Sequence, residues 1–443
     1  MSFKTPLGKT IFETKPISAG CEFVSGYAFK SKDFSDSGYP VIKIKNIQNK
    51  QVTLNGDNQF IPKSVITEKL NKFKLTHGDI LIAMTGQGSV GRVGKLVLND
   101  KQVTPYLNQR VGKFVPHHNV LDKDYLYYVI STSAYEALLF AAGSGSGQPN
   151  LSPSLIKGVE IPFPPIKVQE SISKILRDLD EKIVTNVQMN QTLEQMAQAI
   201  FKSWFVDFEP VKAKMNGEQP EAMDAATASL FPEKLDSETG IPAGWSQGVI
   251  SDIAKLNAKS WTKKNQPEQV HYVDLANTKN GVIETVTTYD FDEAPSRARR
   301  VLNSGDTIVG TVRPGNRSFA FIGKTEQPLT GSTGFAVLSP KEEFWTSFVY
   351  LATTNDDSID EYARLADGGA YPAIKPVVVA DTPCVIPTTD IAQKFWQLTG
   401  AMLKKAHQNR LENEELAKLR DTLLPKLLSG EIELGNAEAS LND

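Results

Sequence analysis

Glycine-rich loops are the first residues of this 443-residue chain that could do chemistry, and neither of the two candidates completes a nucleotide-binding motif. The stretch GQGSVGRVGKL (residues 86–96) is glycine-rich like a phosphate-binding loop. However, Ser89 stands in place of its first glycine, and Leu96 in place of the serine or threonine after the lysine. The stretch GSGSG (residues 143–147) lacks the framing strand, helix and downstream acid of a dinucleotide-binding turn.

Histidines and cysteines are the other candidates for chemistry, and their spacing is equally unproductive. The five histidines include no HExxH pattern, and Cys21 and Cys384 are far apart with no CxxC, which favours buried thiols over a metal site. There is no GxSxG elbow and no Asn/Asp-Pro-Pro-Tyr/Phe tetrapeptide of an amino-methyltransferase. The sequence therefore predicts a chain that is not catalytic alone and itself binds no metal or cofactor.

Charge is distributed unevenly along the chain, although the net charge is only −3. Residues 1–164 carry 19 Lys and Arg against 12 Asp and Glu, a balance of +7, whereas residues 245–389 carry 14 against 17. The first half could contact phosphates directly, but the second half would need local clusters such as SRARR (296–300) and TVRPGNRSF (311–319). A solvated surface face is the competing interpretation of any single cluster.

The chain repeats itself at an offset of 223 residues. PNLSP (149–153) matches PAIKP (372–376), YLYY (125–128) matches FVYL (348–351), and NQTLEQM (190–196) matches NEELAKL (413–419). Further upstream, HGDILIAMT (77–85) resembles SGDTIVGTV (304–312) at an offset of 227. The same order of segments in both halves indicates one duplicated unit rather than a solenoid of short repeats.

Each repeat begins with short β-rich segments and ends in a long helix. Residues 167–205 contain neither Gly nor Pro, and their apolar side chains recur mostly at spacings of three and four. A second copy is predicted from about Ile391 to Leu428, where Pro425 should break or end it late. The sequence thus predicts a mixed α/β (α+β) fold, with two pseudo-symmetric globular domains separated by a pair of long antiparallel helices. Such a pair forms a coiled-coil spacer, and a helix of about 39 residues spans roughly 60 Å.

The order of motifs along the chain resembles a known family. The chain begins with a β-rich domain, which is followed by GQPNLSP, IPFPPI and a long helix. After the helix come AQAIFKSWFVDFEPVKAKMNG, GIPAGW, a second domain with TVRPGNRSF, and finally LRDTLLPKLLSGEI. This strongly resembles the specificity subunit of type I restriction–modification systems over essentially the whole chain. The resemblance implies target-recognition domain 1 at 1–165, a spacer helix at 166–206, an acidic connector at 207–244, target-recognition domain 2 at 245–389, a second spacer helix at 390–430 and a tail at 431–443.

The resemblance also implies partners and cofactors. Each domain is expected to read one half of a bipartite double-stranded DNA site, and the helices to dock two modification subunits that bind S-adenosylmethionine and methylate adenine at N6. Restriction subunits driven by ATP and Mg²⁺ can add to that core. Since no apolar run approaches the ~20 residues that span a bilayer and no signal-like stretch opens the chain, we expect a cytoplasmic protein.

Base reading relies on Arg or Lys for guanine and on Asn or Gln for adenine. The loops rich in these residues supply the candidate DNA contacts Lys43, Lys45, Asn46, Gln87, Arg92, Asn108, Gln109, Arg110, Gln148, Asn150, Asn277, Arg297, Arg299, Arg313, Asn316, Arg317 and Lys375. For each, a phosphate contact or a solvated loop is an alternative. The candidate helix-pair or partner-interface residues are Ile172, Leu179, Ile183, Leu193, Met196, Ile200, Trp204, Phe395, Met402, Leu416, Leu419 and Leu423.

Two alternatives to this function stay open from the sequence. One is a coiled-coil scaffold or adaptor that never touches DNA, and the other is a DNA-reading subunit of another restriction type. Co-purification with a methyltransferase partner distinguishes them.

Overall fold

The fold is described from a computed structural model, for residues 2–54, 58–144, 149–369, 371–432 and 434. The chain divides into two compact units. Unit 1 comprises Met1–Val184 with Asn413–Asp443, and unit 2 comprises Thr185–Glu412. Each unit therefore contains one globular domain and a part of both long helices.

Unit 1 is built on short strands around a buried central strand. The strands are β1 (Phe3–Thr5), β2 (Gly8–Thr10), β3 (Thr14–Pro16), β4 (Cys21–Ser25), β5 (Tyr39–Ile42), β6 (Ile47–Gln48), β7 (Gln51–Val52), β8 (Gln59–Ile61), β9 (Ile80–Ala83), β10 (Val93–Leu96), β11 (Tyr106–Leu107), β12 (Val111–Pro116) and β13 (Glu160–Pro162). The larger sheet has the order β4-β12-β9-β10-β7-β6, and a second sheet has the order β11-β5-β8. Strand β9 is buried along its whole length, which explains why its sequence ILIA is continuously apolar rather than alternating.

Unit 2 has its own set of strands, arranged in two four-stranded sheets and smaller pairs. They are β14 (Ser246–Val249), β15 (Ala254–Leu256), β16 (Gln269–Val273), β17 (Thr278–Lys279), β18 (Val282–Ile283), β19 (Thr287–Asp290), β20 (Ala298–Leu302), β21 (Thr307–Gly310), β22 (Phe319–Phe321), β23 (Leu329–Ser332), β24 (Phe335–Pro340) and β25 (Pro383–Ile386). The four-stranded sheets have the orders β15-β24-β21-β22 and β19-β16-β23-β20.

The two globular domains share one topology. The order β4-β12-β9-β10 in unit 1 corresponds to β15-β24-β21-β22 in unit 2, with antiparallel pairs throughout. The second sheet of each unit contains one parallel pair, β11 with β5 and β23 with β16. In both units the strand that leaves the domain pairs with a strand that opens it, β13 with β3 and β25 with β14. The predicted pseudo-symmetric α/β fold is therefore confirmed.

Helices flank these sheets and then leave each domain. They are α1 (Lys123–Ile130), α2 (Ser133–Gly143), α3 (Pro153–Lys157), α4 (Ile166–Phe205), α5 (Glu209–Met215), α6 (Ala225–Leu230), α7 (Ile250–Ile253), α8 (Thr346–Thr354), α9 (Asp356–Leu365), α10 (Pro376–Ala380) and α11 (Thr389–Ser429). The apolar sequence of Leu126–Phe140 favours a single helix, but the chain forms α1 and α2 there. Thr132 adopts extended backbone between them, and its hydroxyl caps α2 by accepting a hydrogen bond from the Tyr135 amide.

The long helices α4 and α11 run antiparallel within each unit. In unit 1, Ile172 and Leu176 share a buried apolar cluster with Leu424 and Leu428. In unit 2, the Asn409 amide donates to Asn190 Oδ1 at 2.8 Å, and Phe205 packs on Phe395 with ring centroids 4.9 Å apart. Earlier residues of α4 thus meet later residues of α11, as the fold prediction requires. No helix in the described ranges is long and apolar enough to cross a bilayer.

The connector after α4 is folded rather than extended. It forms α5 and α6, and its Phe231 ring lies 4.9 Å from the Trp204 ring, centroid to centroid, in an edge-on contact. Trp245, just beyond the connector, packs on Phe205 at 5.7 Å. Burial of these large rings stabilises the end of α4 within unit 2.

Pro425 does not end helix α11, which continues to Ser429. A proline in a helix removes one backbone donor and crowds the preceding turn. Here only one bond near the end is lost, and the neighbouring Leu424, Leu427 and Leu428 are buried in unit 1. Their burial offsets the disruption.

Candidate nucleic-acid interface

The loop between β9 and β10 collects several of the candidate residues of unit 1. It carries Gln87 and Arg92, both exposed. The Met84 amide donates to the Arg110 carbonyl at 3.0 Å, and Thr85 forms an isolated β-bridge with Asn150. Four candidates for base or phosphate contact are therefore attached to one loop by backbone geometry.

The equivalent loop of unit 2 lies between β21 and β22 and carries three more candidates. Pro314–Asn316 form a single 3-10 turn, and Arg313 and Arg317 on either side have left-handed backbones with φ of 48° and 59°. Such φ values are uncommon outside glycine and cost free energy. The surrounding hydrogen bonds hold them, because the Asn316 and Arg317 amides donate to the Arg313 and Pro314 carbonyls at 2.8 and 2.9 Å.

The repeated proline segments brace these two loops in the same way. In unit 1 the Leu151 amide donates to the Met84 carbonyl at 2.8 Å, and in unit 2 the Ile374 amide donates to the Thr311 carbonyl at 2.9 Å. Both aliphatic side chains are buried. The last proline of each segment begins a short helix, α3 in unit 1 and α10 in unit 2.

Arg317 is held inside its own domain by three partners. Its Nη2 donates to Asp356 Oδ1 at 2.6 Å, its Nε donates to Asn280 Oδ1 at 3.0 Å, and its guanidinium lies over the Phe319 ring. Asp356 is in the first turn of α9, so this arginine ties the loop to that helix. A role in positioning the loop explains all three contacts.

Arg313 has a different environment at the other side of the turn. Its guanidinium lies 4.7 Å from the ring centroid of Tyr371, which is 71% exposed. Its amide donates to the Pro372 carbonyl at 2.7 Å, and Val312 forms a β-bridge with Ala373. Tyr371 is not among the candidate DNA contacts from the sequence, because those candidates are Arg, Lys, Asn and Gln side chains only. The sequence does mark Tyr371 by its position directly before PAIKP and two residues after Gly369.

The side chains of Arg297 and Arg299 each contact other groups of unit 2. Arg297 Nη2 donates to Asp274 Oδ2 at 2.7 Å and its Nε donates to the Tyr272 hydroxyl at 3.0 Å, and these two partners raise the pKa of Arg297. Arg299 lies over the Phe291 ring and donates to the Ala298 carbonyl at 2.8 Å. The Arg297 carbonyl accepts a hydrogen bond from the Thr333 amide, so the start of β20 lies next to the turn before β24.

The remaining candidates of unit 1 fall into two groups. Lys43, Lys45 and Asn46 share the turn before β6, and Lys43 lies over the Phe34 ring. Asn46 is buried, and its amide nitrogen donates to the Thr53 carbonyl at 2.9 Å, so it holds the turn. Asn108, Gln109 and Arg110 form the turn between β11 and β12, and Gln148 lies outside the described residues.

In unit 2, Asn316 and Lys375 are exposed, Asn316 on the tip of the turn and Lys375 on the bracing segment. Asn277 is half-buried, and its carbonyl accepts from the Glu284 amide at 2.7 Å. Asn316 and Lys375 are thus attached to the loop that carries Arg313, whereas Asn277 belongs to a neighbouring turn.

The helix-pair candidates separate by burial. Ile172, Leu179, Trp204 and Phe395 are buried, while Ile183, Leu193, Ile200, Met402, Leu416 and Leu423 are half-buried. Met196 and Leu419 are both exposed, and they occupy equivalent positions of the two repeats. The buried members hold helices to their domains, and the two exposed ones are accessible to a partner.

Within the described part of the chain, no group of three or more His, Cys, Asp or Glu is placed to hold a metal ion. Two domains of one topology, each with a braced polar loop at the same place, are typical of a protein that recognises a two-part target. Residues 12–195 match the family model of the type I restriction modification DNA specificity domain.

The specificity subunit of the type I restriction enzyme HindI of Haemophilus influenzae is 26% identical over 411 residues, which cover 82% of this chain and 88% of that protein. The specificity subunit of the enzyme MjaIX of Methanocaldococcus jannaschii is 26% identical over 416 residues, covering 91% and 89%. The crystal structure of a type I restriction–modification S subunit from M. genitalium superposes with a TM-score of 0.54 at 16% identity, over 95% of this chain and 96% of that chain, which shows a shared fold. The chain is therefore similar to type I restriction–modification specificity subunits over most of its length.

Proposed function

We propose that this chain recognises a bipartite double-stranded DNA sequence for a type I restriction–modification complex, with one domain for each half-site. The observation that carries the proposal is the matched pair of loops after β9 and β21, each braced by its own copy of the repeated proline segment. Sequence readers need polar groups held in a fixed direction at a surface, because base-edge hydrogen bonds depend on geometry. Both loops meet that requirement.

We also propose that the chain contributes recognition and no catalysis. Modification subunits, two per chain, would bring S-adenosylmethionine and the adenine methyltransferase centre, and restriction subunits would bring ATP and Mg²⁺. Met196 and Leu419 support the count of two, because they are exposed apolar residues at equivalent positions of the duplicated helix. The complex would act in the cytoplasm.

The charge balance fits such an assembly. The second domain has a net negative balance, so its own surface is a poor general attractor for phosphates. Partner subunits would therefore supply part of the phosphate contact for that half-site. The arginines of the second domain would then position its loops and read bases, rather than attract DNA phosphates in general.

A domain exchange tests the proposal. Residues 1–164 are replaced with those of a relative of different specificity, the variant is expressed with its modification partner, and the methylated motif is found by sequencing genomic DNA. One half of the motif should change and the other should stay. The matched control exchanges residues 245–386, which should change only the other half.

The same experiment separates the alternatives. If both halves of the motif changed together, the two domains would not read separately. A chain that produced no methylated motif and brought down no methyltransferase would be a scaffold. Recovery of a partner of another restriction type would place it in that class.

A further inference from the structure

The turn between β11 and β12 lies beside the β9–β10 loop in unit 1. The Met84 amide, at the start of that loop, donates to the Arg110 carbonyl at 3.0 Å. The Asn108 amide donates to the Ile42 carbonyl at 3.2 Å, and the Asn108 side-chain Oδ1 accepts from the Gln109 amide at 2.9 Å. Two other backbone segments and a side chain of the turn itself therefore fix the course of its three residues.

Gly26, which directly follows β4, packs against this turn more closely than any other residue could. A Cβ placed there would lie 1.9 Å from the Asn108 carbonyl oxygen, so only glycine fits. The Gly26 amide donates to the Val111 carbonyl at 2.9 Å, and the Tyr27 amide donates to the Leu107 carbonyl at 3.0 Å. These contacts add a third backbone segment to those that hold the turn.

Two long polar side chains project from this fixed backbone. Gln109 and Arg110 are both exposed, and within the described residues neither side chain has a hydrogen-bond or ion-pair partner. A side chain that contacts DNA exchanges its water for base-edge or phosphate atoms, and here no bond inside the protein is lost in that exchange. The turn therefore presents both side chains to a ligand from a rigid support.

Unit 2 has the same turn between β23 and β24, with different side chains. The Thr311 amide donates to the Gly334 carbonyl at 2.8 Å, as the Met84 amide does to the Arg110 carbonyl. Ser332 Oγ accepts from the Gly334 amide at 3.2 Å, so a side chain at the start of the turn again accepts a backbone amide. The three residues are Asn-Gln-Arg in unit 1 and Ser-Thr-Gly in unit 2. The backbone is thus shared, while the side chains are exchanged.

Phosphate contacts and base contacts make different demands on two copies of one turn. Phosphates are the same along any duplex, so a cation that contacts them can be kept in both copies. Side chains that read bases must differ wherever the two half-sites differ, because each base pair presents its own pattern of donors and acceptors. A shared backbone with exchanged side chains therefore favours base reading. An arginine in such a place suits guanine, whose O6 and N7 accept two parallel hydrogen bonds.

We propose that this turn reads the first half-site, the one assigned to residues 1–164, and that Arg110 donates to O6 and N7 of one guanine there. The inference rests on the proposed function and deepens it, since it names one base and the residue that selects it. It also assigns different elements to the two half-sites, because the corresponding turn of unit 2 has no side chain longer than that of threonine.

The test uses the full-length chain expressed with its modification partner, and the first half-site is the one that changes when residues 1–164 are exchanged. Binding is measured on duplexes that carry the methylated motif, every single base-pair change in both half-sites, and 7-deazaguanine in place of each guanine, at several salt concentrations. The variants are Arg110→Gly, which gives the turn the residue of unit 2, and Arg110→Gln, which keeps a long polar side chain without the charge. Lys101→Ala is the matched control, because Lys101 is an exposed cation of the same domain that follows β10.

Both Arg110 variants should lose discrimination at one G·C pair of the first half-site by about 5- to 140-fold, the range for one bidentate contact. Their discrimination in the second half-site should match the parent, which also reports correct folding. Lys101→Ala should discriminate as the parent does at every position. 7-Deazaguanine at that pair, which lacks the N7 acceptor, should weaken binding of the parent and have no further effect on Arg110→Gly.

Three results would overturn the inference. They are a parent protein insensitive to 7-deazaguanine throughout the first half-site, an Arg110→Gly variant with full discrimination, and a loss that is equal for all sequences with a salt slope reduced by about one. The last result would make Arg110 a phosphate contact. A parent without any sequence preference would instead refute the proposed function, so the two failures are distinguishable.

Discussion

The buried amide pair between α4 and α11 in unit 2 gives a prediction about stability. Asn409 is 1% exposed, and its amide nitrogen donates to Asn190 Oδ1 at 2.8 Å. Within the described residues its Oδ1 accepts no hydrogen bond, so Asn190 is the partner that compensates its burial. Replacing Asn190→Leu would leave the Asn409 amide buried and unpaired, at a cost of about 1–3 kcal/mol.

The double variant Asn190→Leu, Asn409→Leu should behave differently. It removes both polar groups and adds apolar side chains between the helices, and such exchanges are nearly neutral or stabilising. We expect its free energy of unfolding to lie within about 1 kcal/mol of the parent or above it. The single variant should therefore be less stable than the double one.

Tryptophan fluorescence is a selective assay for this prediction. All five tryptophans lie in unit 2, namely Trp204, Trp245, Trp261, Trp345 and Trp396. Their emission therefore follows the unit that contains the amide pair. A loss of 1–3 kcal/mol in a unit of this size corresponds to a fall in melting temperature of roughly 2–12 °C.

Gln191→Leu is the matched control, since Gln191 neighbours Asn190 on the same helix and is exposed. It should change the free energy of unfolding by less than about 0.5 kcal/mol. The reasoning is refuted if Asn190→Leu is as stable as the parent. It is equally refuted if the double variant is as unstable as the single one.

Three further outcomes are expected. Arg317→Ala should lower the free energy of unfolding of unit 2 by less than about 1 kcal/mol, because its ion pair with Asp356 is exposed, and should leave the salt slope of DNA binding unchanged; a slope reduced by about one would show a phosphate contact instead. The double change of Met196 and Leu419 to Asp should abolish co-purification of the modification subunit with an unchanged melting curve, and retained co-purification would contradict docking at these positions. Burial raises the pKa of the Cys21 thiol to about 12, so at pH 8 its thiolate fraction and its labelling rate should fall on the order of 10³-fold below those of the unfolded chain, and fast labelling of folded protein would contradict this.

The repeat and the long helices could be predicted from the sequence because they depend on local pattern. An apolar stripe at helical spacing without Gly or Pro defines α4, and the shared offset of the proline segments reveals the duplication. The break between α1 and α2 was missed, since apolar residues continue through it and only the cap at Thr132 marks it. The sequence also predicted that Pro425 would break or end α11. The helix continues past it because its neighbours are buried, and that burial depends on tertiary contacts.

The site could be predicted only in part, for the same reason. The turn TVRPGNRSF was found as an exposed arginine loop, but the difference between its two arginines depends on distant residues. Arg317 is paired with Asp356 and Arg313 is stacked on Tyr371, which are 39 and 58 positions further along the chain. These pairs are close only in the folded domain, so the spacing of their residues in the sequence does not reveal them.

The hydrogen bonds of Leu151 with Met84, of Ile374 with Thr311 and of Pro372 with Arg313 join backbone groups. Side chains at positions 312, 313 and 316 can therefore be exchanged without removing any of these bonds, and only proline at 313 would delete a donor; Arg317 differs, because its side chain ties the loop to α9. The backbone hydrogen bonds that hold the loop therefore do not depend on which side chains its tip carries. New target preferences can arise by point substitution at the tip while the supporting architecture stays intact, which makes these few positions the natural place to begin redesigning specificity.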